Sequence, residues 1–303
     1  MKFVFVFLVC VLKIGAQEVL LDGTIYDHET KRPIPFVHVS ILNTLKGATT
    51  DEKGYFFMDV PATYLEKNVQ LSTLGYADTV VALNEVIGEK PFGMVKDHQT
   101  IDNIVVGKPS GELEVLHAIA SSDLEGGISS ATAPRILATY FPNTDPKRKY
   151  INKVTVFLKK EGNLKRPVSK FRIRVYDVDT LSQKPAKDLL HKSTVLDVVA
   201  ESDFVTVDLS DFNIEMPSHG VYIGLEWLFV PYNWYAVKGK HPVDHKLTIE
   251  NGFAPSFGGI NNKNQNTKVM VYEMGAWVDF QETLKKNEQA LIPAVSLSLF
   301  KEK

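Results

Sequence analysis

The sequence predicts an all-β protein, in which an N-terminal Ig/transthyretin-like β-sandwich is followed by a larger jelly-roll-like β-sandwich. Short segments rich in β-branched and aromatic residues alternate apolar and polar positions in both halves of the chain. Turn residues separate these segments at the short intervals that are typical of sandwiches. With 303 residues, of which 44% are hydrophobic and 23% charged, the chain is long enough for two domains with separate cores.

The clearest local signal is a turn between two strand-like segments near residue 50. Residues 36–42 alternate as a strand does, and residues 55–60 are aromatic and β-branched until Pro61 ends the run. Between them, Asp51 can accept hydrogen bonds from backbone amides, and Gly54 can adopt a positive φ. We therefore expect a hairpin here.

Other strands are predicted at residues 19–26, 68–74 and 78–83, while Pro33 and Pro35 mark an edge or a bulge. These segments complete a small sandwich over residues 17–106.

Within that region, one set of motifs with its spacing resembles the carboxypeptidase-regulatory-like domain. The motifs are Gly23-Thr24-Ile25-Tyr26-Asp27, Pro33-Ile34-Pro35, Val37-His38-Val39, Lys46-Gly47-Ala48-Thr49-Thr50-Asp51-Glu52-Lys53-Gly54-Tyr55-Phe56 and Leu71-Ser72-Thr73-Leu74-Gly75-Tyr76. The resemblance implies a transthyretin-like sandwich of exported Gram-negative proteins, often placed ahead of TonB-dependent transporters. The family name refers to an accessory domain of metallocarboxypeptidases, so it implies no peptidase activity. Residues 101–107 are similar to the short strand that usually follows the domain.

The first 16 residues have the pattern of a signal peptide. Lys2 precedes an apolar run over residues 3–12 that is too short to span a bilayer, and small residues favour cleavage before Gln17. We therefore expect export to the periplasm or the cell surface, and a formal charge of −4 once Lys2 and Lys13 are removed. The alternatives are a buried first strand and a lipoprotein anchored through Cys10, the only cysteine.

Residues 107–140 are predicted to be a linker, because glycine and proline punctuate them, with a short helix over residues 112–119. Strands return in the second domain, residues 141–303, which weakly resembles jelly-roll sandwiches. Its alternating apolar sets are Val154, Val156 and Leu158; Phe171, Ile173 and Val175; Val205, Val207 and Leu209; Ile223, Leu225, Trp227 and Phe229; and residues 294–300.

Charges divide sharply in the second domain. Residues 147–174 contain 11 basic residues and one acid, whereas residues 175–215 contain nine acids and three lysines. Lys170, Arg172 and Arg174 occupy every second position opposite the apolar face, which is typical of a solvated strand face. We expect ion pairs across neighbouring strands, and no nucleic-acid partner, because the whole chain is mildly acidic.

No motif predicts a catalytic site, a metal or a cofactor. None of the eight histidines is followed by glutamate three residues later, as a zinc carboxypeptidase requires, and no serine-hydrolase elbow or phosphate loop occurs. Two metal sites are minor alternatives: His241 with His245, and a calcium site formed by Asp177, Asp179 and Asp188.

Tyr232, Asn233, Trp234 and Tyr235 are the candidate ligand-binding residues. Aromatic rings in a loop at the end of a sandwich can stack on a sugar ring, while Asn233 reads its hydroxyl groups. Trp277 lies in a later strand. The competing interpretation is that Trp234 and Tyr235 fill the end of the sandwich or pack on the linker.

These observations predict an exported, non-catalytic accessory protein that binds a glycan, a peptide or an outer-membrane protein partner and has no transmembrane segment. One alternative is an extracytoplasmic hydrolase whose carboxylates assemble from separate strands of the second sandwich. Another is a structural component of an outer-membrane complex, recognisable by an open sheet edge or an exposed apolar patch.

Overall fold

The computed structural model of the protein describes residues 17–97, 109–130, 134–160, 168–240, 247–262, 267–284 and 291–302. These residues fold as β-strands and short 3-10 helices that build two sandwiches, which confirms the predicted fold class. No helix in these ranges has the length and apolarity needed to cross a membrane. The predicted strand at 101–107 and the histidine pair at 241 and 245 lie outside the described residues.

The described residues of the N-terminal sandwich form seven strands in two sheets. The strands are β1 (Glu18–Asp27), β2 (His38–Ile41), β3 (Gly47–Thr49), β4 (Tyr55–Pro61), β5 (Asn68–Ser72), β6 (Thr79–Ala82) and β7 (Phe92–Met94), with 3-10 helices at Ala62–Tyr64 and Leu83–Glu85. One sheet has the order β4-β1-β7, with β1 antiparallel to β4 and parallel to β7, and the other is the antiparallel sheet β3-β2-β5-β6. Apolar residues from both sheets, such as Ile25, Val39, Phe56 and Leu71, form its core.

The turn at residues 51–54 forms as predicted, but it joins two sheets instead of making a hairpin. Asp51 Oδ1 accepts the N–H groups of Lys53 and Tyr55 at 2.8 and 3.0 Å, and Gly54 has φ +73°. However, β3 pairs with β2, whereas β4 pairs with β1. The buried Thr50 hydroxyl accepts the N–H of Val37 and thereby holds the chain where it leaves β3. Local turn chemistry is the same in either arrangement, so it could not predict which strands pair.

The C-terminal sandwich contains the remaining strands of the described residues. They are β8 (Glu112–Leu116), β9 (Gly126–Ser130), β10 (Ile136–Phe141), β11 (Arg148–Phe157), β12 (Val168–Val178), β13 (Pro185–Asp188), β14 (Thr194–Val199), β15 (Phe204–Asp208), β16 (Val221–Trp227), β17 (Trp234–Lys240), β18 (Leu247–Asn261), β19 (Val269–Glu273), β20 (Ala276–Asp279), β21 (Leu291–Pro293) and β22 (Val295–Lys301), with 3-10 helices at Ser121–Asp123, Ser210–Phe212, Pro231–Asn233 and Phe280–Thr283. The larger sheet has the order β13-β12-β16-β10-β19-β20, with β14 also on β12. This sheet packs against β15-β11-β22-β8, and a third sheet joins β17, β18, β21 and β9.

Much of the stretch predicted to be a linker belongs to this second sandwich. Strand β8 pairs with β22, β9 pairs with β18, and β10 lies between β16 and β19, so the predicted helix at 112–119 is wrong and the sandwich begins before residue 141. The glycines that indicated a loop allow close packing instead. A β-carbon at Gly126 would collide with Leu291, and one at Gly127 would collide with Ser256.

The two sandwiches contact each other along one face of β12, which corrects the prediction for its charged residues. Arg172 is 0% and Arg174 5% exposed, so this face is buried and not solvated. The first sandwich covers it: Arg172 Nη2 donates to the carbonyl of Phe36 at 2.5 Å. The Phe229 N–H donates to Thr49 Oγ1 at 2.9 Å nearby. Lys170, at the end of this row, pairs across strands with Asp197 as predicted.

Candidate functional site

A buried ion network lies where the two sandwiches meet. Glu226 on β16 accepts hydrogen bonds from Arg172 Nη1 at 3.2 Å and from Arg174 Nε at 2.8 Å. Arg174 Nη1 also donates to Asp188 Oδ2 at 3.2 Å. The register of the sheet explains these contacts, because β16 and β12 are antiparallel neighbours and place Arg172 directly opposite Glu226. Two positive and two negative side chains thus balance one another away from water.

Burial and charge act in opposite directions on these acids. Burial tends to raise the pKa of Glu226, but the charges of Arg172 and Arg174 outweigh it and hold this pKa below its usual range. For Asp188 burial is the stronger influence, and it raises the pKa despite the charge of Arg174. The network therefore keeps Glu226 ionised and makes Asp188 easier to protonate than an exposed aspartate.

A cleft of about 250 Å³ opens beside this network, and we call it the interdomain cleft. The N-terminal sandwich contributes His38, Asp78, Asp97 and residues 72–76 to its lining. The C-terminal sandwich contributes Ile136, Arg174, Tyr176, residues 186–188, Tyr272 and Trp277. The site therefore exists only when the two sandwiches are in contact.

Three aromatic side chains pack together on the C-terminal side of this cleft. The ring of Trp277 meets the rings of Tyr176 and Tyr272 edge-to-face, with centroids 5.3 and 5.2 Å apart. The Tyr272 hydroxyl donates to Gln70 Oε1 at 2.6 Å, and the Gln70 amide donates to Asp78 Oδ2 at 3.5 Å. Burial, together with the charge of Asp78, raises the pKa of Tyr272 to about 12. The aromatic wall is therefore held in place by both sandwiches.

His38 is the buried polar group of the cleft whose hydrogen bonds are least satisfied. It is almost completely buried, and neither ring nitrogen has a hydrogen-bond partner among the described residues. Nδ1 lies 3.7 Å from Glu226 Oε1, which is too long for a good hydrogen bond. A polar ligand in the cleft could supply the missing partner.

The rim of the cleft is fixed by a second polar cluster. Tyr76 donates its hydroxyl hydrogen to Asp27 Oδ2 at 2.8 Å, and Lys96 Nζ lies 3.2 Å from the same oxygen. The Thr30 N–H bonds the other carboxylate oxygen at 2.7 Å. The backbone bond from Thr30, with those of Tyr76 and Lys96, outweighs desolvation and lowers the pKa of Asp27. Tyr76 is thus positioned by an ionised carboxylate.

Comparison with known proteins identifies the first of the two sandwiches. Residues 21–106 match the family model of the CarboxypepD_reg-like domain. The N-terminal sandwich is a CarboxypepD_reg-like domain. This kind of domain is regulatory-like and not catalytic, as the motif resemblance implies.

Other comparisons are weak. The solved structure of the cysteine protease and lectin-like domains of Cwp84, a surface layer associated protein of Clostridium difficile, aligns with 94% of this chain and 58% of that one. The TM-score is 0.36 and the sequence identity 7%, a similarity too low to imply an activity or a ligand. No curated protein matches the sequence.

The four predicted ligand-binding residues do not form one platform. Asn233 is fully buried: its side-chain oxygen accepts the Lys170 N–H at 2.9 Å, and its amide donates to the carbonyls of Lys170 and Leu228 at 2.7 and 2.8 Å. It therefore anchors the loop and is not available to read ligand hydroxyls. The Tyr235 ring packs over Gly252, where a β-carbon would collide with it. These two residues do not face the interdomain cleft.

Tyr232 and Trp234 instead lie beside the CarboxypepD_reg-like domain. The Tyr232 hydroxyl donates to Glu52 Oε1 at 3.0 Å. Trp234 is 43% exposed and lines a second cavity of about 550 Å³, which we call the edge groove. The groove also includes Phe57 and Asp59 of β4 and the stacked rings of Phe229 and Phe253, whose centroids are 3.8 Å apart.

The aspartates considered for calcium are not brought together. Asp177 pairs with His219 at 2.7 Å, Asp179 accepts the N–H of Ser182 in its own turn, and Asp188 belongs to the buried network. In the part of the chain that the structure describes, no three or more His, Cys, Asp or Glu side chains are grouped to hold a metal ion.

Proposed function

We propose that the protein is a non-catalytic binding protein that holds a small saccharide in the interdomain cleft. The observation that carries this proposal is the aromatic wall of Trp277, Tyr272 and Tyr176 beside the ionic groups of Arg174 and Asp188. Sugar rings offer an apolar face to aromatic side chains and hydroxyl groups to charged and amide groups. The cleft combines both kinds of surface.

The size of the cleft supports a small ligand. Its volume of about 250 Å³ lies just below the roughly 300–1,000 Å³ of pockets that take drug-sized molecules. Both sandwiches contribute polar groups, so a bound ligand would link the CarboxypepD_reg-like domain to the second sandwich. Ligand binding would then stabilise the arrangement of the two sandwiches relative to each other.

The carboxylates of the network support binding more than catalysis. Oε1 of Glu226 accepts a hydrogen bond from Arg172, and Oε2 accepts one from Arg174. Asp188 accepts from Arg174 on one oxygen and from the Leu190 N–H on the other. Neither is arranged as a free nucleophile or a base facing water.

The second candidate function is hydrolysis of a glycosidic bond. It is favoured by the raised pKa of Asp188, as expected of a general acid, and by the presence of Asp78 and Asp97 in the same cleft. A pair of carboxylates on opposite sides of a bound sugar would be required.

We also propose that the protein is exported, with cleavage before Gln17, and that it can bind an outer-membrane protein partner. The motif resemblance to exported Gram-negative proteins and the N-terminal pattern support export. Detection of the mature N-terminus by Edman sequencing of periplasmic and surface fractions tests it; a chain that retains Met1 would contradict it.

Tryptophan fluorescence can test the saccharide site. The chain has three tryptophans: Trp227 is buried, Trp234 lines the edge groove and Trp277 lines the cleft. We would titrate the W234F variant with neutral and acidic mono- and oligosaccharides. A saturable change that disappears in the W234F/W277F double variant, with the sugar recovered intact, supports the proposal. No response to any saccharide overturns it, and cleavage of the sugar that is lost in D188N supports the hydrolase.

A further inference from the structure

One edge of strand β4 is open. Among the described residues β4 pairs only with β1, at the end of the sheet β4-β1-β7. The Ile25 N–H donates to the Gly54 carbonyl, and the Ala62 N–H donates to the Gln17 carbonyl. Since these two bonds lie at the two ends of the β1–β4 pairing, the even-numbered residues of β4 form the backbone hydrogen bonds to β1. Because backbone groups alternate in direction along an antiparallel strand, the odd-numbered residues Tyr55, Phe57 and Asp59 point to the other edge.

Some of these outward groups are already used. The turn residue Asp51 bonds both the N–H and the carbonyl of Tyr55. Lys46 Nζ donates to the carbonyl of Asp59 at 3.0 Å. No bond to the described residues is found for the N–H and carbonyl of Phe57 or the N–H of Asp59. They form a donor–acceptor–donor row with the spacing of a β-ladder.

This row borders the edge groove. Phe57 and Asp59 line it on one side, and Phe229 and Trp234 line it on the other. An added strand would lie about 4.8 Å from β4. Alternate side chains of such a strand would then enter the groove, where they would meet the apolar side chains of Phe229, Val230 and Trp234.

The outer face of the same sheet has a marked composition. On β1 and β4 it presents Leu20, Tyr55 and Phe57, which are 61%, 40% and 46% exposed, between the acidic side chains of Asp22 and Asp59. The register places Leu20 opposite Asp59, and Asp22 opposite Phe57. Acidic and large apolar side chains thus alternate from Leu20 to Asp22 along β1, and each faces the opposite kind on β4. A complementary strand would carry basic side chains on this face.

We propose that the edge of β4 is a docking site for an extended segment of a partner protein that alternates apolar and basic residues. The partner strand adds to the sheet through the backbone groups of Phe57 and Asp59. Its apolar side chains enter the edge groove, and its basic side chains lie over Asp22 and Asp59. The site is separate from the interdomain cleft and takes a different class of ligand.

The side chain of Lys46 partly blocks this edge. Charged side chains, lysine above all, protect natural edge strands from unwanted pairing. Here the lysine occupies one carbonyl and leaves the neighbouring groups open. An arriving strand would displace its side chain and bond the Asp59 carbonyl itself, so K46A should bind the segment at least as tightly as the wild type.

The probe for this site is an eight-residue peptide that alternates valine and lysine, with a valine–glutamate peptide as its charge control. We would measure binding to the full chain by fluorescence anisotropy and follow amide exchange by NMR. The peptide should protect the amides of Phe57 and Asp59, while the amides of Phe56 and Met58, already bonded to β1, change little. The valine–glutamate peptide should bind at least tenfold more weakly.

N-methylation gives a matched control on the peptide itself. Methylating alternate amides of one parity should abolish binding, and methylating the other parity should be tolerated, because only one edge of an added strand faces β4. D59K should reverse the preference between the two peptides. Failure of the lysine peptide to bind at millimolar concentration, or binding without protection of Phe57 and Asp59, overturns the proposal. Neither result affects the saccharide site, which is read out by Trp277.

Discussion

Glu226 and Arg172 are direct cross-strand neighbours, and their side chains form an ion pair at 3.2 Å with no exposure to solvent. Arg172 continues from this pair to the Phe36 carbonyl of the CarboxypepD_reg-like domain. Through Arg172, the ion pair of the C-terminal sandwich is therefore bonded to the backbone of the N-terminal sandwich. It also borders the cleft through Arg174, which shares Glu226 and lines that cavity.

Neutralising this acid should destabilise the protein strongly. E226Q leaves two buried guanidinium groups with one carboxylate, and breaking a buried pair typically costs about 3–5 kcal/mol. Urea denaturation measures the loss. D203N, which removes the exposed partner of Lys160, is the matched control and should leave the unfolding free energy almost unchanged. Equal effects of the two substitutions would contradict a central role for the buried pair.

The same carboxyl predicts how stability depends on pH. The pKa of Glu226 lies below its unfolded value of 4.5, so its contribution is complete above that value and is lost as pH falls. Asp188 acts in the opposite direction, because its pKa is raised and its protonation at low pH relieves a buried charge. Between pH 6 and 3 the urea midpoint should fall more steeply for the wild type than for E226Q. Parallel slopes would show that Glu226 is not the group responsible.

In the loop that contains the predicted ligand-binding residues, Asn233 should contribute strongly to stability and Trp234 only weakly. N233A removes hydrogen bonds to the buried Leu228 carbonyl and to the half-buried N–H and carbonyl of Lys170. It should cost about 2–4 kcal/mol, since an unsatisfied buried group costs roughly 1–3 kcal/mol and a half-buried one less. W234A, at an exposed ring, should cost much less. Thermal and chemical denaturation of both variants give the comparison. The order would be reversed if Asn233 were a ligand contact and Trp234 a plug of the sandwich.

The turn between the two sheets of the first sandwich should be intolerant of a side chain at Gly54. G54A combines a positive φ with a collision against the Ile25 carbonyl. Gly88 has a similar φ of +89° but open space around its missing β-carbon. G88A should therefore cost about 1 kcal/mol, and G54A clearly more, when both are measured by urea denaturation. Similar losses would mean that the collision is relieved by a backbone shift.

The sequence predicts local structure well because strand alternation and turn chemistry are local properties. Residues 36–42 and 68–74 do contain strands, and Asp51 and Gly54 do form their turn. Pairing between strands depends on distant parts of the chain. For this reason the turn joins two sheets, and Gly126 and Gly127, which resemble loop residues, lie in a strand.

The candidate site was harder to predict, because alternation shows which residues share a face but not what covers that face. Arg172 and Arg174 have the spacing of a solvated row, yet the first sandwich buries them. One signal was available: Glu226 lies within a strand that is otherwise apolar or uncharged, and a lone acid there needs a basic partner. Tyr272 is the hairpin neighbour of Trp277, but Tyr176 comes from β12, about a hundred residues earlier, so local pattern does not bring the three rings together.

Native mass spectrometry of the wild type and W277A, incubated with a saccharide panel, tests the central claim most directly. We predict a one-to-one complex with the wild type, in which the saccharide keeps its original mass, and loss of that complex in W277A. Equal retention by W277A, or recovery of the saccharide only as hydrolysed fragments, would contradict it.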